Sequence, residues 1–346
     1  MAAEMSTRMT LEFKSKYICS SADNNRVHYV YRTDEDKAAP LLIFLHGFPE
    51  NSFAWIDYLE FFAELGCSVV AVDMRGLGLS IGYQKKTAYQ ISLMVNDVAD
   101  VILTLEYNKA FIIGHDIGGV VAWEFAKTAP QLCQGAITIN CPHPAAFSRM
   151  FKYNPLLTIR QTFRFWYMYF FQLPGVPEWL MRKGNFFWLD YIFKRWIYKK
   201  AVFRAIQMPA RLSLYKKFLS KKNALKESLT SYRVNVFGVF GRSVLRRFIT
   251  KTKKENLDTP FLVIWGGDDF VLENRLFEET KYIISENSTD HKIVHGGHWL
   301  HHEYFEECVG EISKHISNCG GNINITEATN TKRYSQSIAK MYKAFI

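Results

Sequence analysis

Short apolar, β-branched runs recur along this 346-residue chain, with helix-patterned segments between them. The runs VHYVYR (27–32), LLIFL (41–45), SVVAVD (68–73), AFIIG (110–114), GAITIN (135–140), PFLVIW (260–265) and HKIVH (291–295) have the length and composition of strands. Helical periodicity fills the gaps, most clearly at 90–106, 117–129 and 303–317. Strands alternating with helices need crossovers, so a mainly parallel, doubly wound α/β sheet covered on both faces is expected. The alternation breaks once. After GAITINCPHP, roughly 100 helix-patterned residues intervene before strand–helix order resumes at Thr259. This reads as an insertion after the sixth strand, a helical lid over the sheet. The expected division is an N-terminal extension with the start of the first strand (1–24), core (25–143), lid (144–256), core (257–317) and a flexible polar tail (318–346).

Charge sets the insertion apart. Arg149 to Lys254 holds 24 Lys and Arg against Glu178, Asp190 and Glu227, a local +21 that leaves −11 for the rest of a +10 chain. The same segment is crowded with aromatics, as in RQTFRFWYMYFFQLPGVPEWL. Such a surface attracts anionic partners, among them a substrate carboxylate or the anionic face of a membrane. The bland alternative is that the Lys and Arg side chains solvate helix faces while lying over aromatic rings. No nucleic-acid recognition motif accompanies the charge, so no nucleic-acid partner is expected. The opening MAAEMSTRMTLEFKSK lacks an apolar signal core, and no run is long enough to span a bilayer. A cytoplasmic chain, with at most peripheral membrane association, is expected. The six cysteines lack CxxC or CxxxC spacing, and HxxxH at 291–295 spans a strand. Neither suggests a metal site or a cofactor.

The chemistry gathers at strand ends. FIIGHDIGGVVAW (111–123) reads as a buried strand, a glycine-flanked turn and a helix start, with Asp116 at the turn. Gly114, Gly118 and Gly119 permit the close approaches that such a turn needs. Asp116 could serve merely as an N-cap. Three other strand ends argue for catalysis. LIFLHGFPEN (42–51) offers a loop that resembles the oxyanion loop of the α/β-hydrolase fold, which implies that the Phe48 N–H pairs with that of Ile117 to hold developing negative charge. FLVIWGGDDFVL (261–272) offers Asp268 or Asp269, and IVHGGHWLHHE (293–303) offers His298. Counting G-x-x-D from Gly266 selects Asp269 and leaves Asp268 as a turn residue. His291, His295, His301 and His302 are poorer candidates for the base.

The small-x-X-x-small turn at 114–118 resembles the nucleophile elbow of the α/β-hydrolase fold, and HGFP resembles its oxyanion loop. The order nucleophile, acid, histidine is also the order that this fold uses. The elbow here carries aspartate where serine is usual. Serine attacking an sp3 carbon would leave an ether, whereas a carboxylate leaves an ester that water, activated by His298, can hydrolyse. Displacement at carbon is therefore expected, with an epoxide oxygen or a halide as leaving group.

HGFPE, DMRGLGLS (73–80), GHDIGG, FWYMYFFQLPGVPE, SYR, GGDDFVL and GGHW together resemble the epoxide hydrolase family, over roughly residues 25 to 316. The resemblance implies no cofactor and a small lipophilic epoxide as substrate, epoxy fatty acids among the candidates. It implies that Tyr167 and Tyr232 donate protons to the epoxide oxygen, and that His46, Pro49, Trp166, Phe171 and Trp299 line the pocket. Tyr169 and Tyr215 are read as ordinary core or lid aromatics. Ile117 replaces the Trp usual after the nucleophile, which argues against a halide leaving group. A haloalkane dehalogenase and a catalytically silent binding protein on the same fold remain the alternatives.

Overall fold

The computed structural model describes residues 12–33, 37–196, 208–236, 257–284 and 288–323. Residues 1–11 of the expected N-terminal extension, 197–207 and 237–256 of the expected lid, and 324–346 of the expected tail lie outside the described residues.

Among the described residues, eight strands form one sheet: β1 (Lys14–Cys19), β2 (Arg26–Arg32), β3 (Leu41–Leu45), β4 (Ser68–Val72), β5 (Ala110–His115), β6 (Cys133–Ile139), β7 (Phe261–Gly266) and β8 (Thr289–Ile293). Their spatial order is β1-β2-β4-β3-β5-β6-β7-β8. Every pairing from β4 to β8 is parallel, and β1 and β2 add an antiparallel edge. The chain thus has the expected α/β architecture. The central strands β3, β4 and β5 are buried throughout, as unbroken apolar runs covered on both faces must be. The KSKYIC segment gave no strand signal. It forms edge strand β1, where all but Ile18 are exposed and no apolar face is required. β8 sits two residues earlier than HKIVH suggested, because Thr289 and Asp290 pair with β7 although both are polar and exposed.

Helices α1 (Ile56–Glu64), α2 (Ile91–Thr104) and α3 (Ile117–Thr128) follow β3, the β4 loop and β5. Between β6 and β7 the described residues are helical: α4 (Pro144–Tyr153), α5 (Pro155–Arg164), α6 (Trp166–Phe170), α7 (Val176–Trp196), α8 (Met208–Leu219) and α9 (Ala224–Val236). Non-helical backbone at 183–186 divides α7. α10 (Asn274–Ile283), α11 (Leu300–Glu303) and α12 (Phe305–Asn318) complete the set. In α12, Phe305, Cys308, Val309, Ile312 and Ile316 are buried, the i, i+3, i+4 stripe of a helix packed on a sheet. Cys319, Gly321 and Ile323 stay attached beyond it. The Gly321 N–H donates to the Ile316 carbonyl, Gln134 donates to that of Cys319, and Ile323 packs on the core. No described helix is long and apolar enough to cross a membrane.

Topology positions the site. From β3 the chain crosses to β4 on one side, and from β5 it crosses to β6 on the other. The carboxyl ends of β3 and β5 are neighbours whose following segments diverge, which opens a crevice at that switch point. The loops after β3, β5, β7 and β8 all open at this end of the sheet.

Candidate active site

Asp116 stands between β5 and α3 with φ 52° and ψ −121°, a conformation that side chains other than glycine rarely adopt. Packing imposes it. A Cβ on Gly118 would lie 2.2 Å from the Leu45 carbonyl oxygen, and one on Gly47 would lie 2.5 Å from Asp116 Cβ. The turn is thus wedged between β3 and its loop. Although Asp116 occupies the N-cap position of α3, its side chain makes no capping hydrogen bond. The carboxylate is left to face the crevice.

Its two oxygens have different surroundings. Oδ1 accepts the Phe48 N–H at 3.3 Å and the Tyr232 hydroxyl at 3.3 Å. Oδ2 faces His298 Nε2 at 3.8 Å. Ile117 opens α3, so its N–H is one of the helix's unpaired first-turn donors. On the far side of the imidazole, His298 Nδ1 lies 2.9 Å from Asp269 Oδ2. Asp268 is exposed and lies beside His295 instead, at 3.7 Å.

Asp269 is fully enclosed and saturated with donors. Oδ1 accepts the Val271 and Leu272 N–H groups at 2.7 and 3.0 Å, and Oδ2 accepts Asn140 Nδ2 at 2.6 Å as well as His298. Burial opposes the charge, but His298, Asn140 and the Leu272 N–H outweigh it and hold the carboxyl below its ordinary value. Burial likewise opposes protonation of His298, yet Asp269, Asp116 and Glu50 raise it to about 9. Burial and the negative charge of Asp116 push the phenols of Tyr167 and Tyr232 well above the ordinary tyrosine value, so both keep their protons.

Two apolar cavities meet at Asp116 and share Tyr167, Tyr232 and Val271. The larger, about 350 Å³, is lined by Phe48, Trp166, Phe171, Trp188, His298 and Trp299 among others. The smaller, about 90 Å³, runs past Ile117, Val120, Phe147 and Met168. The Tyr167 and Tyr232 rings stand edge to face at 6.4 Å where the two meet.

The sequence model of the alpha/beta hydrolase fold family matches residues 40–304. Epoxide hydrolase 4 of Mus musculus is 32% identical over 279 residues, covering 80% of this chain and 72% of that protein. Epoxide hydrolase 3 of Mus musculus is 33% identical over 283 residues, covering 82% and 71%. The chain belongs to the epoxide hydrolase family. Among solved structures, this epoxide hydrolase family member resembles that of the Bacillus megaterium epoxide hydrolase in complex with an inhibitor, with a TM-score of 0.73 and 25% identity, covering 87% of this chain and 100% of that one.

Of the residues singled out in the sequence, Asp116, His298, Asp269, Phe48, Ile117, Tyr167 and Tyr232 come together at this crevice, with Pro49, Trp166, Phe171 and Trp299 lining the larger cavity. His46 lines neither of these two cavities. Its Nε2 accepts the Met74 N–H at 3.0 Å and its Nδ1 donates to the Gly47 carbonyl at 2.8 Å, so it braces the loop from within. Tyr169 is exposed and Tyr215 is buried in helix packing.

Sequence reasoning missed two groups. Asn140 directly follows β6 with φ 45°, and its side chain joins Asp269 to the Gly266 N–H. The second group surrounds Glu50, a carboxylate with no exposed oxygen. His302 Nε2 lies 2.7 Å from it, His301 Nε2 3.3 Å and His115 Nδ1 3.5 Å, while His115 Nε2 donates to the His298 carbonyl at 2.9 Å. Glu50, His301 and His302 bring donor atoms close enough together to resemble a metal site. However, Arg211 of α8, which can only donate, reaches His302 Nδ1 at 3.1 Å. The lone pair of His302 therefore lies on Nδ1, and the hydrogen on Nε2 points at Glu50 where a metal would need a free lone pair. The cluster is better suited to bracing the His298 loop against α8.

Proposed function

We propose that this protein hydrolyses lipophilic epoxides to vicinal diols through an ester on Asp116. Asp116 Oδ2 attacks an epoxide carbon while Tyr167 and Tyr232 give a proton to the departing ring oxygen, so the C–O bond breaks to an alcohol. His298 then takes a proton from water, which attacks Cγ of the ester. Phe48 and Ile117 N–H groups hold the resulting oxyanion at Oδ1. Collapse releases the diol and restores the carboxylate, Asp269 keeping the imidazole oriented. The observation that carries this reading is the division of labour at Asp116: Oδ1 is held by Phe48 N–H and Tyr232, while Oδ2 faces His298.

The charge on Asp116 helps to hold His298 protonated in the resting state. Ester formation removes that charge, so His298 gives up its resting proton, which restores the tyrosine that protonated the ring oxygen, and the neutral imidazole is left to act as the base. Ile117 brings an aliphatic side chain where a halide would need a donor, and the groups over Asp116 are phenols. Both favour an epoxide over a halide.

Unequal apolar arms on either side of Asp116 suit an epoxide substituted on both carbons, with the longer chain in the larger arm. Epoxy fatty acids are of this class. Among the described residues, Arg164 is the one Arg or Lys lining that arm, and it already binds the Asp269 and Leu272 carbonyls and Glu273, which leaves the apolar lining to select the substrate's chain. The test is a single turnover of a 1,2-disubstituted lipophilic epoxide in heavy-oxygen water. The mechanism requires the first diol to be unlabelled and the label to enter Asp116; label in the first diol would rule out the ester.

A further inference from the structure

Helix α5 is inside out. Its inward face carries Gln161, which is fully buried and bridges the Val271 carbonyl and Glu273 N–H, and Arg164, bound to the Asp269 and Leu272 carbonyls. Its outward face carries Leu156, Ile159 and Phe163 at helical spacing, 77%, 53% and 75% exposed. The apolar face continues along the chain through Trp166 on α6, 65% exposed, and Trp179 and Leu180 on α7, 61% and 49% exposed. Isolated exposed apolar side chains are ordinary, but a set of this size, with Trp166 and Leu180 meeting at one cavity, marks an interaction surface.

Two features identify what it meets. The first is charge. Residues 149–196 hold eight Arg and Lys; Arg149 pairs with Glu279 and Arg160 and Arg164 pair with Glu273, while the segment's two acids, Glu178 and Asp190, are themselves paired with Arg233 and Lys216. Cations border the aromatics, with Lys183 Nζ 3.7 Å from the centre of the Trp179 ring and Lys152 Nζ 5.1 Å from that of Tyr153. Tryptophan and tyrosine beside lysine and arginine, rimming an aliphatic patch, match the boundary between acyl chains and headgroups. The second is the pocket. Trp166 and Leu180 belong both to the exposed face and to the lining of the larger cavity, so its mouth opens within this patch.

We propose that this face docks on an anionic phospholipid surface, its apolar residues at the acyl boundary and its cations among the headgroups. The pocket mouth then opens into lipid, where a lipophilic epoxide concentrates; this delivery role rests on the proposed activity, whereas the docking does not. The full chain is mixed with vesicles of phosphatidylcholine alone or containing about one-third phosphatidylserine, and bound protein is measured by flotation. Binding to the anionic vesicles, weakened by added salt, is expected. Leu156→Ser with Phe163→Ser should weaken it about tenfold or more, since two large apolar side chains leave the contact. Lys152→Glu with Lys183→Glu should remove the preference for phosphatidylserine. Each variant should keep its rate on a dissolved epoxide, which verifies folding. Absence of vesicle binding, equal binding by the serine variant, or a lipid-free dimer that the serine variant dissociates would each overturn the proposal. Because binding is read without substrate, failure of the labelling experiment would defeat the chemistry and leave the docking standing.

Discussion

The hydroxyl of Tyr232 lies 3.3 Å from Oδ1 of Asp116, the oxygen that also accepts the Phe48 N–H. A proton donor is therefore bound to the nucleophile before substrate arrives, and an entering epoxide oxygen must take its place. Tyr232→Phe or Tyr167→Phe alone should slow ester formation by about 10- to 100-fold, because one phenol remains. The double variant should lose about 10³-fold or more. Rapid-quench measurement of ester by intact mass distinguishes the steps. A double variant that forms ester at the normal rate would remove the tyrosines from the mechanism.

His298 faces Oδ2 across 3.8 Å, too far for a direct bond, while its other nitrogen is held by Asp269 at 2.9 Å. His298→Gln should leave attack on the epoxide largely intact and block hydrolysis. The variant should accumulate protein heavier by the mass of one epoxide. An unmodified mass after incubation with substrate would count against the assigned roles.

What could be read in the sequence, and what could not, follows from chain distance. The elbow is a local device: GHDIGG carries its glycines, its nucleophile and its backbone donor within a few residues. Asp269 and His298 could be found because each ends a strand in a set order. Asn140 meets Asp269 across 129 residues, and His302 meets Glu50 across 252. No local pattern encodes either contact, and an asparagine at a strand end has many bland uses. His46 shows the converse, since its motif was legible while its inward hydrogen bonds were not.

Asn140→Ala tests the hidden link. It removes a donor from a buried carboxylate and leaves the Gly266 N–H without its partner. A loss of about 2 kcal/mol in stability is expected. Slower ester hydrolysis with little change in ester formation should accompany it, because Asn140 acts through Asp269. Denaturant unfolding and single-turnover phases measure the two effects, and an equal loss in both phases would deny the selective role.

Gly47→Ala probes the packing behind the nucleophile. The added methyl would come within 2.5 Å of Asp116 Cβ and 2.8 Å of Oδ1, so the carboxylate must move away from Phe48 N–H. Ester formation should fall by about 10²-fold, the scale of a misplaced reacting group. Circular dichroism should remain close to that of the wild type, since the strain falls on one loop. Full activity would mean that the elbow tolerates displacement.

The His298–Asp269 pair sets a pH dependence whose sign can be worked out. His298 is raised from its ordinary 6.5 to about 9, so the folded protein holds a proton that the unfolded chain releases between those values. Its contribution to stability is complete below about pH 6.5 and is lost as pH rises through about 9. Asp269 is lowered from 3.8, so its contribution is present above that value and disappears as pH falls through its folded pKa. The pair therefore stabilises most between about pH 4 and about pH 6.5. His298→Gln removes the titrating partner. The difference in Tm between wild type and this variant should be largest in that window and shrink steadily toward about pH 10. Scanning calorimetry of both proteins across the range measures it. A difference that stays constant with pH would mean that His298 carries no charge in the resting fold, and its conversion to a base on ester formation would then lose its footing.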